Sequence, residues 1–355
     1  MKELKLMKGN EALAEAAIRA GCDAYFGYPI TPQSEVLEYL SREANSRTGM
    51  TVLQAESEIA SINMVYGAAG TGKRVMTSSS SPGMSLMQEG ISYIACAELP
   101  CLLVNVNRGG PGLGTIQPGQ SDYFQSVKGG GHGDYKLIVL APSTVQEMSD
   151  FVGLSFDLAF KYRNPVLILT DGALGQMMEK VELQPQKTRH FEDLGWTTTG
   201  RKNGNGRVIT SLHLKADEME ILNNHLQAKY REIEKNEIRF EATDCDDADY
   251  IITAFGLVAR ICQKAAEMAR AKGIKVGVFR PISLFPFPYA QLKEYAGKVK
   301  GILDVEMNAG QMVEDVRLSV EGAVPVYFHG RMGGVVPSPE EVLEKLEEKF
   351  AGGVK

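Results

Sequence analysis

Short, nearly continuous apolar runs recur through the first half of the chain, at residues 51–53, 74–77, 101–106, 137–140 and 166–170. Between most of them, apolar residues return every three or four positions, as they do on one face of a helix. The runs are too short and too apolar for strands with one wet face. They predict parallel strands covered on both sides, linked by helices in βαβ units. An amphipathic helix over 12–20, ended by Gly21, and a strand over 23–27 open the series. Thr31-Pro32 then has the form of a helix start, a capping threonine before a proline at the first helical position. Further helices are expected over 56–69 and 84–97.

The pattern changes over residues 181–245, where charged and polar residues dominate and KNGNG at 202–206 marks a turn. Met219, Leu222, Leu226, Tyr230 and Ile233 recur at helical spacing, so this stretch predicts a connecting arm that contains one helix. A second α/β unit follows over 246–355, with strands at 250–254, 275–280, 301–305 and 324–328 and helices at 256–270 and 339–350. No internal repeat and no low-complexity tract interrupts it.

Composition narrows the function classes. The 355 residues carry 38 basic and 44 acidic side chains, a net charge of -6 that argues against nucleic acid or an anionic membrane as the main partner. Hydrophobic residues make up 44%, ordinary for a globular chain able to bury a large core. The N-terminal segment is charged and lacks an apolar secretory core. No apolar run reaches the roughly 18 residues that span a bilayer. The five cysteines, at 22, 96, 101, 245 and 262, form no CxxC pair. They predict a cytoplasmic protein with free thiols and no iron–sulfur cluster of its own.

Candidate chemistry gathers where predicted strands end, the place where open α/β sheets bind ligands. In GYPITP (27–32), Thr31 serves either as a helix cap, which spacing alone favours, or as a donor to a carboxylate. Glu56 and Glu58 open a small-residue helix. The helix dipole accounts for Glu56, whereas a carboxylate buried at Glu58 needs a partner or takes up a proton. GAAGTGKR (67–74) has the glycine and lysine spacing of a phosphate loop. However, Arg74 stands where a hydroxyl must reach magnesium, and the stretch ends a helix instead of opening one, so it reads as a helix cap and turn. TSSSSPG (77–83) is either a ligand-binding loop or a plain turn, and Arg108 either an anion clamp or a solvated side chain. His132 sits in an exposed glycine loop and is weak evidence for catalysis.

Together, GYPITPQSE (27–35), QAESEIASINMVYGAAG (54–70), MTSSSSPGMSLMQEG (76–90), VNVNRGGPGLGT (104–115) and GGHGDYKLIVLAPSTVQE (130–147) resemble the alpha-type subunit of 2-oxoacid:ferredoxin oxidoreductases. The segment around His132 resembles the subtype that uses branched-chain 2-oxoacids such as 2-oxoisovalerate. Subtypes acting on 2-oxoglutarate or indolepyruvate are the alternatives, and a non-catalytic scaffold subunit is the alternative of another class. The resemblance implies a pyrimidine-binding thiamine diphosphate domain over 1–180, the arm over 181–245, and a transketolase C-terminal-like α/β domain over 246–355. Gly67 follows Glu58 by nine positions, the spacing of thiamine enzymes, and this marks Glu58 as the acid at N1′ of the cofactor's aminopyrimidine. Thr31 and Arg108 match substrate-binding positions. Tyr28, Pro29, Ser80, Ser81, Pro82 and Gly83 match positions lining the cofactor, although SSSPG departs from the family's usual string. The Gly-Asp-Gly motif that holds magnesium diphosphate is absent. The family therefore implies a beta-type partner carrying magnesium and diphosphate, gamma and ferredoxin-like delta subunits, iron–sulfur clusters held only in partner subunits, CoA as co-substrate and ferredoxin as acceptor. The apolar helix over 84–97 is the expected subunit contact, a homodimer contact included.

Overall fold

The computed structural model describes residues 3–188, 194–200 and 206–350. The first unit runs β1 (Glu3–Lys8), α1 (Gly9–Arg19), β2 (Ala24–Gly27), α2 (Ser34–Thr48), β3 (Thr51–Gln54), α3 (Glu58–Ala69), β4 (Val75–Ser79), α4 (Ser81–Cys96) and β5 (Leu102–Asn107). It continues through α5 (Tyr123–Val127), β6 (Ile138–Leu140), α6 (Val145–Tyr162), β7 (Val166–Asp171), α7 (Gly172–Gln176) and β8 (Met178–Leu183). Then come α8 (Ala216–Asn236), β9 (Phe240–Thr243), β10 (Tyr250–Thr253), α9 (Gly256–Ala271), β11 (Val276–Pro281) and β12 (Ser283–Phe285). The chain closes with α10 (Tyr289–Ala296), β13 (Gly301–Glu306), α11 (Met312–Val320), β14 (Val326–Gly330) and α12 (Pro339–Phe350).

The first sheet has the strand order β12-β6-β7-β5-β4-β2-β3, all parallel except β12. Every residue of β4, β5 and β7 is buried, as apolar runs covered on both faces require. The run at 51–53 behaves otherwise: β3 is the sheet's edge and mostly exposed. The second sheet is ordered β14-β13-β10-β11-β9, with β9 antiparallel. The expected divisions near 180 and 245 are crossed by this pairing. β12, from the second unit, covers the β6 edge of the first sheet, and β9, from the arm, covers the β11 edge of the second. Each satisfies backbone groups that an open edge would leave unpaired. β1 and β8 form a separate antiparallel pair that ties the N-terminal segment to the far end of the first unit.

The arm's helix is where its spacing placed it. Leu226, Tyr230 and Ile233 of α8 are buried against the first unit's core. Each such side chain contributes on the order of 1.5–3 kcal/mol, enough to dock an otherwise polar helix. The KNGNG turn lies outside the described residues but for its last glycine. Among the described residues, no helix is long and apolar enough to cross a membrane.

Of the helix starts that differ from expectation, two border the site. α2 begins at Ser34, not after Thr31, and the Thr31-Pro32 peptide is cis. Residues 28–33 are held as a turn by side chains. Gln33 donates to the Tyr28 carbonyl (3.3 Å) and accepts from Ser78 Oγ (2.6 Å), while Asn10 Nδ2 donates to the Pro32 carbonyl (2.7 Å). α4 begins at Ser81, so Ser81, Pro82 and Gly83 form its first turn, with proline in the position that needs no N–H. The glycine and lysine stretch at 67–74 ends α3 and turns into β4, which excludes a phosphate loop.

Candidate active site

Glu58 is the first residue of α3 and only 5% exposed. Ser57, just before it, accepts a hydrogen bond from the Ala60 N–H (3.2 Å) and so caps the helix, which leaves the Glu58 carboxylate for another use. Glu56 lies outside the helix, so the dipole argument offered for it does not hold. The carboxylate faces the first turn of α4. A Cβ added to Gly83 would stand 2.5 Å from Glu58 Oε1 and 2.0 Å from Ser79 Oγ, closer than any side chain is tolerated. Glycine is therefore what lets α4 approach the acid. The hydroxyls of Thr77, Ser79 and Ser80 are buried here without hydrogen-bond partners among the described residues. An unmet buried hydroxyl costs about 1–3 kcal/mol, and Ser79, the one that stands against Gly83, is placed to be completed by a ligand there.

The turn at 28–33 forms the next wall. Tyr25, fully buried, shares a hydrogen bond with Ser78 Oγ (2.8 Å), and Ser78 passes it on to Gln33, which anchors the turn from below. Burial pushes the Tyr25 hydroxyl up to about 12, so it stays a neutral link. Tyr28, Pro29 and Thr31 are exposed at the surface of the turn. Arg108 is only 8% exposed, which rules out a solvated arginine. Its two terminal nitrogens donate to the carbonyls of Thr31 (2.8 Å) and Leu113 (2.9 Å), so the guanidinium grips two loops and leaves Nε–H without a partner among the described residues. Ser81 Oγ accepts from the Arg108 N–H (3.1 Å) and bonds its carbonyl (3.2 Å), locking the head of α4 to the end of β5. Glu58, Gly83, Ser80, Ser81, Arg108 and Thr31 thus belong to one connected group at the carboxyl ends of β2, β4 and β5.

His132 stays apart from this group. Its loop is exposed, its carbonyl accepts from Ser92 Oγ (2.7 Å), and its ring meets Tyr93 edge-on.

Sequence reasoning missed the residues that join the second unit to the site. The Gln120 backbone N–H donates to the Met307 carbonyl (3.0 Å), and the Gln120 side chain accepts from the Met307 N–H (3.0 Å) and donates to the Phe255 carbonyl (2.9 Å). Asn308 Nδ2 reaches the Gln120 carbonyl (2.9 Å). Gly109 packs so closely on the backbone of residues 333 and 334 that a Cβ would lie 2.8 Å from it. The two units meet around a cavity of about 650 Å3, and the wall supplied by the first unit includes Ser81, Pro82 and Asp122. Asn105 Nδ2 donates to Asp122 (2.8 Å), and burial raises the Asp122 carboxyl above the ordinary range. The QSD string at 120–122 was the available signal, but it has no spacing that betrays its role.

The chain is an α/β chain of two units, and a split-gene transketolase shares its fold (TM-score 0.61, 13% identity, covering 97% of this chain and 98% of that one). The chain belongs to the pyruvate flavodoxin/ferredoxin oxidoreductase family: the family's thiamine-diphosphate-binding model matches residues 15–244, and its core domain II model matches 248–342. It is 50% identical to the ketoisovalerate oxidoreductase subunit VorB of Methanothermobacter thermautotrophicus, over 97% of each chain. It is 36% identical to the 2-oxoglutarate synthase subunit KorA of Archaeoglobus fulgidus, over 97% of this chain and 99% of that one. Among solved structures it resembles the 2-oxoglutarate:ferredoxin oxidoreductase of Magnetococcus marinus with 2-oxoglutarate, coenzyme A and succinyl-CoA bound (TM-score 0.87, 28% identity). That match covers 98% of this chain but 65% of the solved one, so this chain spans a little under two thirds of it.

Proposed function

We propose that this chain is the thiamine-pyrimidine-binding subunit of a complex that converts a 2-oxoacid, CoA and oxidised ferredoxin into acyl-CoA, CO2 and reduced ferredoxin, with 2-oxoisovalerate as the preferred 2-oxoacid. The observation that carries it is the buried Glu58 carboxylate, spared from capping its own helix and approached closely by Gly83 and the unpartnered Ser79 hydroxyl. Thiamine diphosphate, when bound, supplies the nucleophilic carbon; the protein supplies orientation and a proton path. Glu58 holds the proton at N1′ of the aminopyrimidine, where its exchange makes the ring's imino group basic. Tyr28, Pro29 and the run Ser80, Ser81, Pro82 and Gly83 border the ring. The Thr31 hydroxyl takes the substrate carboxylate. Arg108 fixes Thr31 through its carbonyl and offers its remaining Nε–H to the substrate. A beta-type partner holds magnesium and the diphosphate, gamma and ferredoxin-like delta subunits complete the complex, and the iron–sulfur clusters lie in partner subunits. The complex is assigned to the cytoplasm, where thiols such as those of the five cysteines, which form no disulfide, persist. The likeness to ketoisovalerate oxidoreductase subunits favours the branched-chain substrate over 2-oxoglutarate.

The test is anaerobic reduction of a viologen dye by the complex assembled from this chain and its co-expressed partners, with thiamine diphosphate, magnesium and CoA. Preference for 2-oxoisovalerate supports the whole reading. Preference for 2-oxoglutarate, indolepyruvate or pyruvate keeps the enzyme and removes the substrate. A cluster-loaded complex with no CoA-dependent activity on any 2-oxoacid leaves a scaffold subunit.

A further inference from the structure

Thr31 stands exposed on the 28–33 turn, outside the helix that follows it. A hydroxyl that takes a substrate carboxylate has to be held at one height and one angle, because small misplacements cost binding and rate steeply. Helix bonds do not hold it. The Val36 N–H, which a helix begun at Thr31 would give to the Pro32 carbonyl, goes to the Gln33 carbonyl instead (3.0 Å).

Two side-chain amides take the place of that bond. Asn10 Nδ2, fully buried at the start of α1, donates to the Pro32 carbonyl (2.7 Å) and to Glu35 Oε2 (3.0 Å). Gln176 Nε2, at the end of α7, donates to the same carbonyl (3.4 Å) and to Glu35 Oε1 (2.7 Å). Each NH2 group thus spends both of its hydrogens on the same two partners, the Pro32 carbonyl and one oxygen of the Glu35 carboxylate. Lys8 sets the direction of the Gln176 amide: its ammonium donates to Gln176 Oε1 (3.1 Å), which turns Nε2 toward Glu35 and the turn. Burial works to raise the Glu35 carboxyl, but the bonds from Gln176, its own N–H and Asn10, with the charge of Lys8, outweigh it and hold the group below the ordinary range. It is therefore a charged anchor for both amides at neutral pH. Packing closes the clamp: a Cβ on Gly172 of α7 would stand 2.8 Å from Pro32 Cγ, and one on Gly175 would stand 2.6 Å from Asn10 Oδ1.

A backbone bond would hold the Pro32 carbonyl with fewer ordered side chains. It would also draw Thr31 into the cap of α2 and spend its hydroxyl there. The clamp holds the carbonyl and leaves the hydroxyl out of the cap, as Ser57 leaves Glu58 out of its own.

We propose that Glu35, Asn10 and Gln176 are positioning residues for the substrate: they fix the Pro32 carbonyl, as Arg108 fixes the neighbouring carbonyl of Thr31, and so set where the Thr31 hydroxyl meets the 2-oxoacid carboxylate. The proposal rests on the reading of Thr31 as the partner of that carboxylate. The three residues act through Thr31, so their loss weakens substrate binding and leaves the later chemistry and the CoA step in place.

The experiment uses the assembled complex. Gln176 is exposed, so Gln176→Glu removes the donor and sets a second carboxylate against Glu35 without disturbing the core. It is expected to raise the KM for the preferred 2-oxoacid by about tenfold while kcat and the KM for CoA move by less than about twofold. Asn10→Asp, nearly isosteric but buried, is expected to shift the same KM further, by about thirtyfold; where it does not fold, Gln176→Glu decides alone. The readout that a merely structural role would not move is coupling to Thr31. On a Thr31→Val background, which itself raises the KM, Gln176→Glu should add less than about twofold, because the hydroxyl it positions is gone. An unchanged 2-oxoacid KM in Gln176→Glu, or effects that multiply in the double variant, would overturn the positioning role. Thr31→Val with an unchanged 2-oxoacid KM would instead remove the reading of Thr31 beneath it.

Discussion

Glu58 and Glu306 are both buried glutamates beside the start of a helix, one in each unit. Glu306 ends β13 and points into the N-terminus of α11. Its carboxylate accepts from the backbone N–H groups of Gln311 (3.0 Å), Met312 (2.9 Å) and Val313 (3.0 Å) and from Asn308 Nδ2 (2.7 Å). Glu58 belongs to its helix instead of preceding it, and Ser57 does the capping. The side chain then projects away from the helix's own donors toward Gly83 and the unmet serine hydroxyls. One acid is saturated by backbone and secures a fold; the other is the one proposed above to meet the cofactor. What separates them is which residue supplies the cap, and so where each acid stands relative to its helix start.

Glu58→Gln should separate these roles most sharply. Loss of the proton at N1′ is expected to lower dye reduction by about 10²–10⁴-fold, with subunit assembly and the thermal unfolding midpoint unchanged. Retained activity would end the comparison, because Glu58 would then be as structural as Glu306. Gly83→Ala is next. The new Cβ would displace either Ser79 or the carboxylate itself, at a cost of about 1–3 kcal/mol in stability and a rate loss of about a hundredfold. Rate and melting temperature should fall together, unlike Glu58→Gln, in which the rate falls alone.

Glu306→Gln should show the reverse pattern. Replacing a charged acceptor of three backbone N–H groups by one neutral oxygen is expected to cost about 2–3 kcal/mol, seen as a lower denaturant midpoint at constant slope. A folded variant with a rate loss as large as that of Glu58→Gln would contradict the assignment of roles.

The same contrast explains what was legible beforehand. β4, β5 and β7 announced themselves because strands buried on both faces must be apolar at consecutive positions. Their ends shifted by a residue or two, since polar residues such as Ser78, Ser79 and Asn107 continue the strands beyond the apolar runs. β12 carried no such mark: three residues suffice to cover an edge, and the edge belongs to the other unit. The start of α2 was misread because a capping signal is local, whereas the Asn10, Gln33 and Ser78 contacts that hold 28–33 as a turn come from separate parts of the chain. Glu58 was singled out through its spacing to Gly67. Gln120 and Asp122 were not, because the bond from Asn308 to Gln120 spans 188 residues and nothing nearby in the chain encodes it.

Asp171 offers a third buried carboxylate at a helix start and the smallest effect. It caps α7 by accepting from the N–H groups of Ala173 (2.9 Å) and Leu174 (3.0 Å). Even so, full burial raises its pKa from 3.8 to about 6, against the pull of those two bonds. Two backbone donors leave the fully buried Asp171 dominated by desolvation. The folded state therefore binds this proton more tightly than the unfolded chain does. The sign follows: the contribution to stability is greatest below the unfolded pKa and declines as pH rises to the folded value. The loss by neutral pH is on the order of 2–3 kcal/mol. An amide in place of the carboxyl would keep a side-chain oxygen for the cap and carry no charge. Asp171→Asn is thus expected to match the wild type near about pH 4 and to exceed it by about 1–2 kcal/mol near about pH 7, measured by denaturant unfolding at both values. Equal stability at both would mean that the two backbone bonds already balance burial, and that Asp171 belongs with Glu306 after all.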